Sequence, residues 1–236
     1  MQGRLALVLR LLTVVLIVGI VAVLFFLVRY FVDTDRAPRT ELERAVFAAE
    51  EAVRAQPDSA ASRIKLASAY LEADAIGSAR EQADIAVRLA PADPAAYYIL
   101  GLVQMKQGDT KSAIDSYTKA TSLEGQLAPF YQDVWAAAAK AYLADGQSDK
   151  ALEAINKSLD FGPENALLLV ERARVYEDQG LWADALYDYY QALSFGYEEA
   201  MEDIDRITED HPEALTEVQE RFGVGPDGSL ETTSPH

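Results

Sequence analysis

Apolar residues are laid along this chain in two ways. From Leu11 to Val28, eighteen consecutive residues, LLTVVLIVGIVAVLFFLV, carry no formal charge, and Thr13 is the only polar side chain among them. A run that is apolar on every face has no polar stripe to show to water, and at ~1.5 Å per residue it spans about 27 Å. That approaches the ~30 Å hydrocarbon core of a bilayer, so the pattern predicts a membrane-crossing helix. Tyr30, Phe31 and Val32 extend it to residues 11–32, with Arg10 and Arg29 able to snorkel at its ends. The run exceeds the apolar core of a cleaved signal peptide and ends in Phe-Phe-Leu-Val-Arg-Tyr, which offers no small-x-small cleavage site. Beyond Thr40 the pattern changes. Apolar residues are interleaved with charges at intervals of three and four, punctuated by Gly, Asp and Pro, and this predicts a succession of short amphipathic helices.

The succession repeats itself. RIKLASAYLEADAIGSA, YYILGLVQMKQGDTKSA, WAAAAKAYLADGQSDKA and LLVERARVYEDQGLWADA align, each leading into a second helix and a turn. Starts near Ala60, Pro94, Gln132 and Ala166 are spaced by 34, 38 and 34 residues, the extra four falling in GQLAPFY ahead of Trp135. Small residues recur on the first helix at Ala67, Gly101, Ala139 and Ala173, and larger ones three places on at Tyr70, Gln104, Tyr142 and Tyr176. Gly108, Gly146 and Gly180 mark the turns. The second helix has Ala79, Ala113, Ala151 and Ala185, then Ala83, Tyr117, Ile155 and Tyr189, then Ala86, Ala120, Ser158 and Ala192. Pro91 and Pro163 close two of the units.

In these places the chain resembles the tetratricopeptide repeat family, whose 34-residue unit is a helix–turn–helix. Arg63, Gln104 and Arg172 depart from that pattern where apolar or aromatic residues are usual, and Gly125 and Tyr197 stand where a closing Pro is expected. The resemblance implies an all-α solenoid, a right-handed superhelix of helix pairs. Its four repeats cover residues 60–199, preceded by an unpaired half-repeat helix at 40–59 and followed by capping helices at 200–222. A short tail at 1–10, a linker at 33–39 and a disordered tail at 223–236 complete the expected organisation.

Charge removes several functions. Every one of the 38 acidic residues lies beyond residue 32, against 18 of the 21 basic ones, so the repeat region repels phosphate backbones and binds no nucleic acid. With no Cys there are no disulfides or thiolate sites. The two His are His211, before Pro212, and His236 at the C-terminus. No Gly-rich phosphate loop, helical His-Glu metal motif or nucleophile triad is present, so no cofactor, metal, small-molecule substrate or enzymatic activity is expected. The acidic residues Glu198, Glu199, Glu202, Asp203 and Asp205 lack the spacing of a Ca²⁺ loop and read as a solvated face.

In the family this chain resembles, the first helices line a groove that takes peptides or helices. If Ala67 and Tyr70 point into the stack, the helical period places Ile64, Ser68, Leu71, Tyr98, Leu102, Met105, Ala136, Lys140, Leu143, Val170, Arg174 and Glu177 on that groove. It is apolar in its first half and charged in its second, which suits an apolar or amphipathic protein segment. The Trp182, Tyr187, Tyr189, Tyr190, Phe195 and Tyr197 cluster reads as packing for the last repeat. Together these features lead to the expectation of a single-pass membrane scaffold, N-terminus inside and array outside, that gathers proteins through its groove. The alternative is a factor that holds a client during assembly of an envelope complex, similar to the anchored repeat subunits of cytochrome c maturation or secretion machines.

Overall fold

The computed structural model describes residues 16–26, 40–123, 128–225 and 228–230. The chain divides into two units, Met1–Ala48 and Ala49–His236, with the boundary inside one helix. In the first unit, residues 16–26 are helical (α1). Among the described residues no helix is long and apolar enough to cross a membrane. The expected span at 11–32 is therefore corrected. With it go the single-pass topology, the membrane as a partner and the placement of the array outside. Residues 11–15 and 27–32 of that span, the tail at 1–10 and the linker at 33–39 lie outside the described residues.

α2 (Glu41–Ala55) opens on a capping box. The Glu43 N–H donates to Thr40 Oγ1 at 3.0 Å, and the Thr40 N–H to Glu43 Oε2 at 3.2 Å. Four helix pairs follow: α3 (Ala60–Glu72) with α4 (Ile76–Leu89), α5 (Pro94–Lys106) with α6 (Thr110–Ser122), α7 (Ala128–Ala144) with α8 (Ser148–Phe161), and α9 (Ala166–Asp178) with α10 (Trp182–Ser194). Side chains of Ser59, Asp93, Asp109 and Asn165 cap four of these helices by accepting from first-turn N–H groups. Each second helix packs against its own first helix and against the next one along.

The four units close their internal turns identically. The N–H groups of Ala75, Asp109, Gln147 and Leu181 donate to the carbonyls of Tyr70, Gln104, Tyr142 and Tyr176 at 2.8, 2.9, 2.9 and 2.8 Å. This closure needs a left-handed residue, supplied by Gly108, Gly146 and Gly180 at φ 78, 74 and 72°, and by Asp74 at φ 55° in the first repeat. The repeated small positions of both helices are buried, and Tyr117, Ile155 and Tyr189 are the large side chains between them. Gly101 is small for a specific reason: a Cβ there would stand 2.4 Å from Tyr117 Cε1.

The three departures from the repeat pattern turn out to be paired. Arg63 Nη1 donates to Gln82 Oε1 at 2.7 Å, Ser116 Oγ to Gln104 Oε1 at 2.6 Å, and Arg172 Nε to Asp188 Oδ2 at 2.7 Å. Gln82, Ser116 and Asp188 occupy one register position of the second helix. The third repeat, which keeps Tyr142, has Ala154 there.

The extra residues of the third repeat lengthen α7, which begins at Ala128, four places before the expected start at Gln132. Its added turn is fixed to α8 and α6: Ser158 Oγ donates to the Gln132 carbonyl at 2.8 Å, Tyr131 stacks on Phe161 at 6.2 Å, and the Tyr131 hydroxyl donates to the Leu123 carbonyl.

α11 (Ala200–Asp210) and α12 (Pro212–Phe222) pack on α10 and on each other. Arg206 pairs with Glu177 and Asp203, and Arg221 with Asp184 and Glu217, tying the cap to the last repeat. The segment expected to be disordered from Gly223 is in part folded. Val224, 3% exposed, bridges to Leu230, and the Gly225 N–H donates to the Ser229 carbonyl at 2.6 Å. Gly228 lies against the Tyr190 ring, where a Cβ would stand 2.7 Å from Cε1. Residues 226–227 and 231–236 lie outside the described residues.

Candidate protein-binding face

The first helices α3, α5, α7 and α9 form one side of the stack. α3 touches α5 and α5 touches α7. Tyr98 of α5 meets Phe130 of α7 edge to face, ring centroids 5.6 Å apart, and Lys140 Nζ of α7 lies 3.4 Å from Glu171 Oε1 of α9. Lys140 is exposed, so this second link is a weak one.

On this side Ile64, Ser68, Leu71, Tyr98, Leu102, Met105, Ala136 and Leu143 are half-buried, while Lys140 and Arg174 are exposed. Val170 is not on the surface: it is 3% exposed and part of the core. Glu177 is half-buried and already engaged, accepting from the Tyr189 hydroxyl at 2.6 Å and pairing with Arg206 at 2.8 Å. Ile64 and Leu71 rest on a small core cluster of Ala67, Ala79, Ala83, Ile99 and Val103. Tyr98 and Met105 rest on the large cluster that runs from Ala113 to Val224, and Leu102 rests on both. These side chains thus have their bases fixed by the core. Burial, and then the charge of Asp133, pushes the Tyr98 phenol above its ordinary pKa.

Sequence reasoning left Phe130 and Asp133 out of this face. For Phe130 the signal was available in the four extra residues, because an insertion ahead of a helix can extend it by one turn and present new side chains to the neighbouring helix; Asp133 lies just inside the expected helix.

The aromatic side chains of the last repeat are occupied by packing. Trp182 stacks on His211 at 3.8 Å, Tyr187 on Phe222 at 4.3 Å, and Tyr189 and Tyr190 are buried, whereas Phe195 is exposed. His211 is accordingly a packed residue, its Nδ1 3.3 Å from Glu213 Oε1. Among the described residues no group of three His, Cys, Asp or Glu gathers to hold a metal ion.

A stack of helix pairs with one side of half-buried apolar residues defines the class: a repeat scaffold that makes contacts with other proteins. The tetratricopeptide repeat family matches residues 39–94, 64–130 and 136–196, and the chain belongs to that family. Photosystem I assembly protein Ycf3 of Synechococcus sp. (strain CC9311) is 30% identical over 107 residues, which cover 43% of this chain and 61% of that protein. The chain thus spans about three-fifths of that relative's length. Among solved structures, MamA is similar with a TM-score of 0.58 and 25% identity over 68% of this chain and 92% of its own. YrrB, a TPR protein with an unusual peptide-binding site, has a TM-score of 0.61 and 18% identity over 78% of this chain and 95% of its own. The Cut9–Hcn1 hetero-tetramer of APC/C gives a TM-score of 0.64 at 21% identity over 71% of this chain and 33% of its own. The last two likenesses speak for the fold alone.

Proposed function

We propose that this protein is an assembly factor that holds an apolar or amphipathic segment of a client protein while a complex is put together. The observation that carries the reading is the strip of Ile64, Leu71, Tyr98, Leu102 and Met105, half-buried side chains that run across neighbouring first helices. Ser68, Lys140, Leu143 and Arg174 complete the proposed contact surface, and Val170, being core, leaves it. The partial similarity to a photosystem assembly protein supports the assembly role over that of a permanent scaffold.

The test is quantitative capture of clients by full-length protein, comparing wild type, Leu102→Asp and Leu89→Asp. Leu89 is exposed at the end of α4, a second helix, and serves as the control. An apolar anchor at an interface contributes ~2 kcal/mol or more, so Leu102→Asp is expected to weaken capture on the order of thirtyfold while Leu89→Asp leaves it intact. Since Leu102 touches both core clusters, Met105→Gln provides a gentler second variant, with melting curves recorded for each. Undiminished capture by folded Leu102→Asp and Met105→Gln would overturn the reading. In a pulse–chase, a held client should leave as its complex matures; a client that stays bound indefinitely would make the protein a permanent scaffold instead.

A further inference from the structure

The added turn of α7 carries Phe130 and Tyr131, and successive helical residues point about 100° apart. Tyr131 is committed to α8 and α6 through its stack on Phe161 and its bond to the Leu123 carbonyl. Phe130 is thereby turned to α5, where its ring meets Tyr98 at 5.6 Å. Asp133 lies three residues beyond Phe130, so the two are surface neighbours on one flank of α7, and its carboxylate is exposed. Its charge also reaches the Tyr98 phenol. Two half-buried aromatic rings and an exposed carboxylate thus converge at the strip, the Phe130 ring supplied by the one place where the 34-residue spacing is broken.

Aromatic faces attract cations, most of all where a carboxylate stands beside them, and they offer no comparable partner to an anion. The surrounding charge has the same sense, since the whole chain carries −17. We propose that Tyr98, Phe130 and Asp133 receive a Lys or Arg side chain of the client, so that the segment held on this face is apolar with a basic residue beside its anchors. The proposal rests on the groove reading and names the chemistry of what the groove selects. The cation stacks against the rings and pairs with Asp133, while Leu102 and Met105, one and two turns along α5 from Tyr98, take the apolar anchors.

The experiment uses a library of random twelve-residue peptides selected against the full-length protein, with selected peptides resynthesised and their affinities read by fluorescence anisotropy. Wild type should enrich peptides that combine aliphatic or aromatic residues with Lys or Arg. Asp133→Asn, at an exposed site where folding is undisturbed, should bind those peptides roughly tenfold more weakly. Phe130→Leu, which keeps apolar bulk but removes the ring, should weaken Lys and Arg peptides more than Gln-substituted versions of them. Binding should also weaken with added salt in wild type and much less so in Asp133→Asn. Enriched apolar peptides without a basic residue, bound equally by wild type and Asp133→Asn but lost in Leu102→Asp, would overturn this proposal and leave the groove reading standing. Peptides insensitive to Leu102→Asp, or no enrichment at all, would remove the groove reading and this proposal with it.

Discussion

At Gly101 the lack of a side chain is what admits the Tyr117 ring, since a Cβ would stand 2.4 to 2.9 Å from three of its atoms. Replacing a mid-helix Gly by Ala normally gains about 1 kcal/mol of helix propensity. Here the buried ring cannot swing clear, and overpacking of this kind costs about 1–3 kcal/mol, so the clash is expected to win. Gly101→Ala should lower the melting temperature. The third repeat shows one compatible alternative, Ala139 with Ile155 at the matching positions, and the fourth another, Ala173 with a Tyr189 whose hydroxyl bonds Glu177. In a Tyr117→Ile background the cost of Gly101→Ala should therefore fall below about 0.5 kcal/mol, measurable as a double-mutant cycle in urea. An equal cost in both backgrounds would show that Tyr117 is not what holds the position small.

Between elements, the same register position of the second helix settles how each repeat is locked. Three units use a polar pair and the third uses Ala154, which explains why Arg63, Gln104 and Arg172 could be recognised as departures from the sequence without their meaning being legible. The compensating Gln82, Ser116 and Asp188 sit on the other helix, 12 to 19 residues away. The repeat frame itself was readable because small side chains recur at fixed offsets, whereas Phe130 was missed because an insertion falls outside any frame. The strongest pair is Arg172 with Asp188, two hydrogen bonds of 2.7 Å around a carboxylate only 1% exposed, with Asn156 of α8 held at 2.6 Å by the same guanidinium. Asp188→Ala should cost about 2–3 kcal/mol by taking two charge-assisted bonds from the half-buried guanidinium, while Arg172→Met with Asp188→Ala should lie within about 1 kcal/mol of wild type. A double variant as unstable as the single one would refute this. Burial pushes the Asp188 carboxyl above its ordinary range, although Arg172 pulls it down. A carboxyl raised in the folded state favours folding at acid pH and loses that contribution as pH climbs through its folded value. Asp188→Asn should accordingly remove a fall in stability on the way from acid to neutral pH.

For the molecule as a whole, the uncharged run at Leu11 to Val28 is where reading by composition went astray. Hydropathy registers the absence of charge, but crossing a bilayer needs a helix both long and apolar, and none among the described residues is. The repeat region was legible for the opposite reason, because its pattern encodes contacts between helices rather than a solvent. Those contacts are unevenly shared. The cluster under α3, α4 and α5 contains five buried residues, whereas the one from Ala113 onwards continues through the cap to Val224. In a chain whose repeats touch only their neighbours, stability is a sum of local terms, so opening should begin where those terms are smallest. Backbone amides of α3 and α4 are expected to exchange with deuterium far faster than those of α9 and α10, and uniform exchange along the array would contradict this. Leu71 belongs to the loosely protected end and Leu102 to the seam between the two, so a client resting on both would slow exchange in α3 and α4 without touching most of the amides it protects.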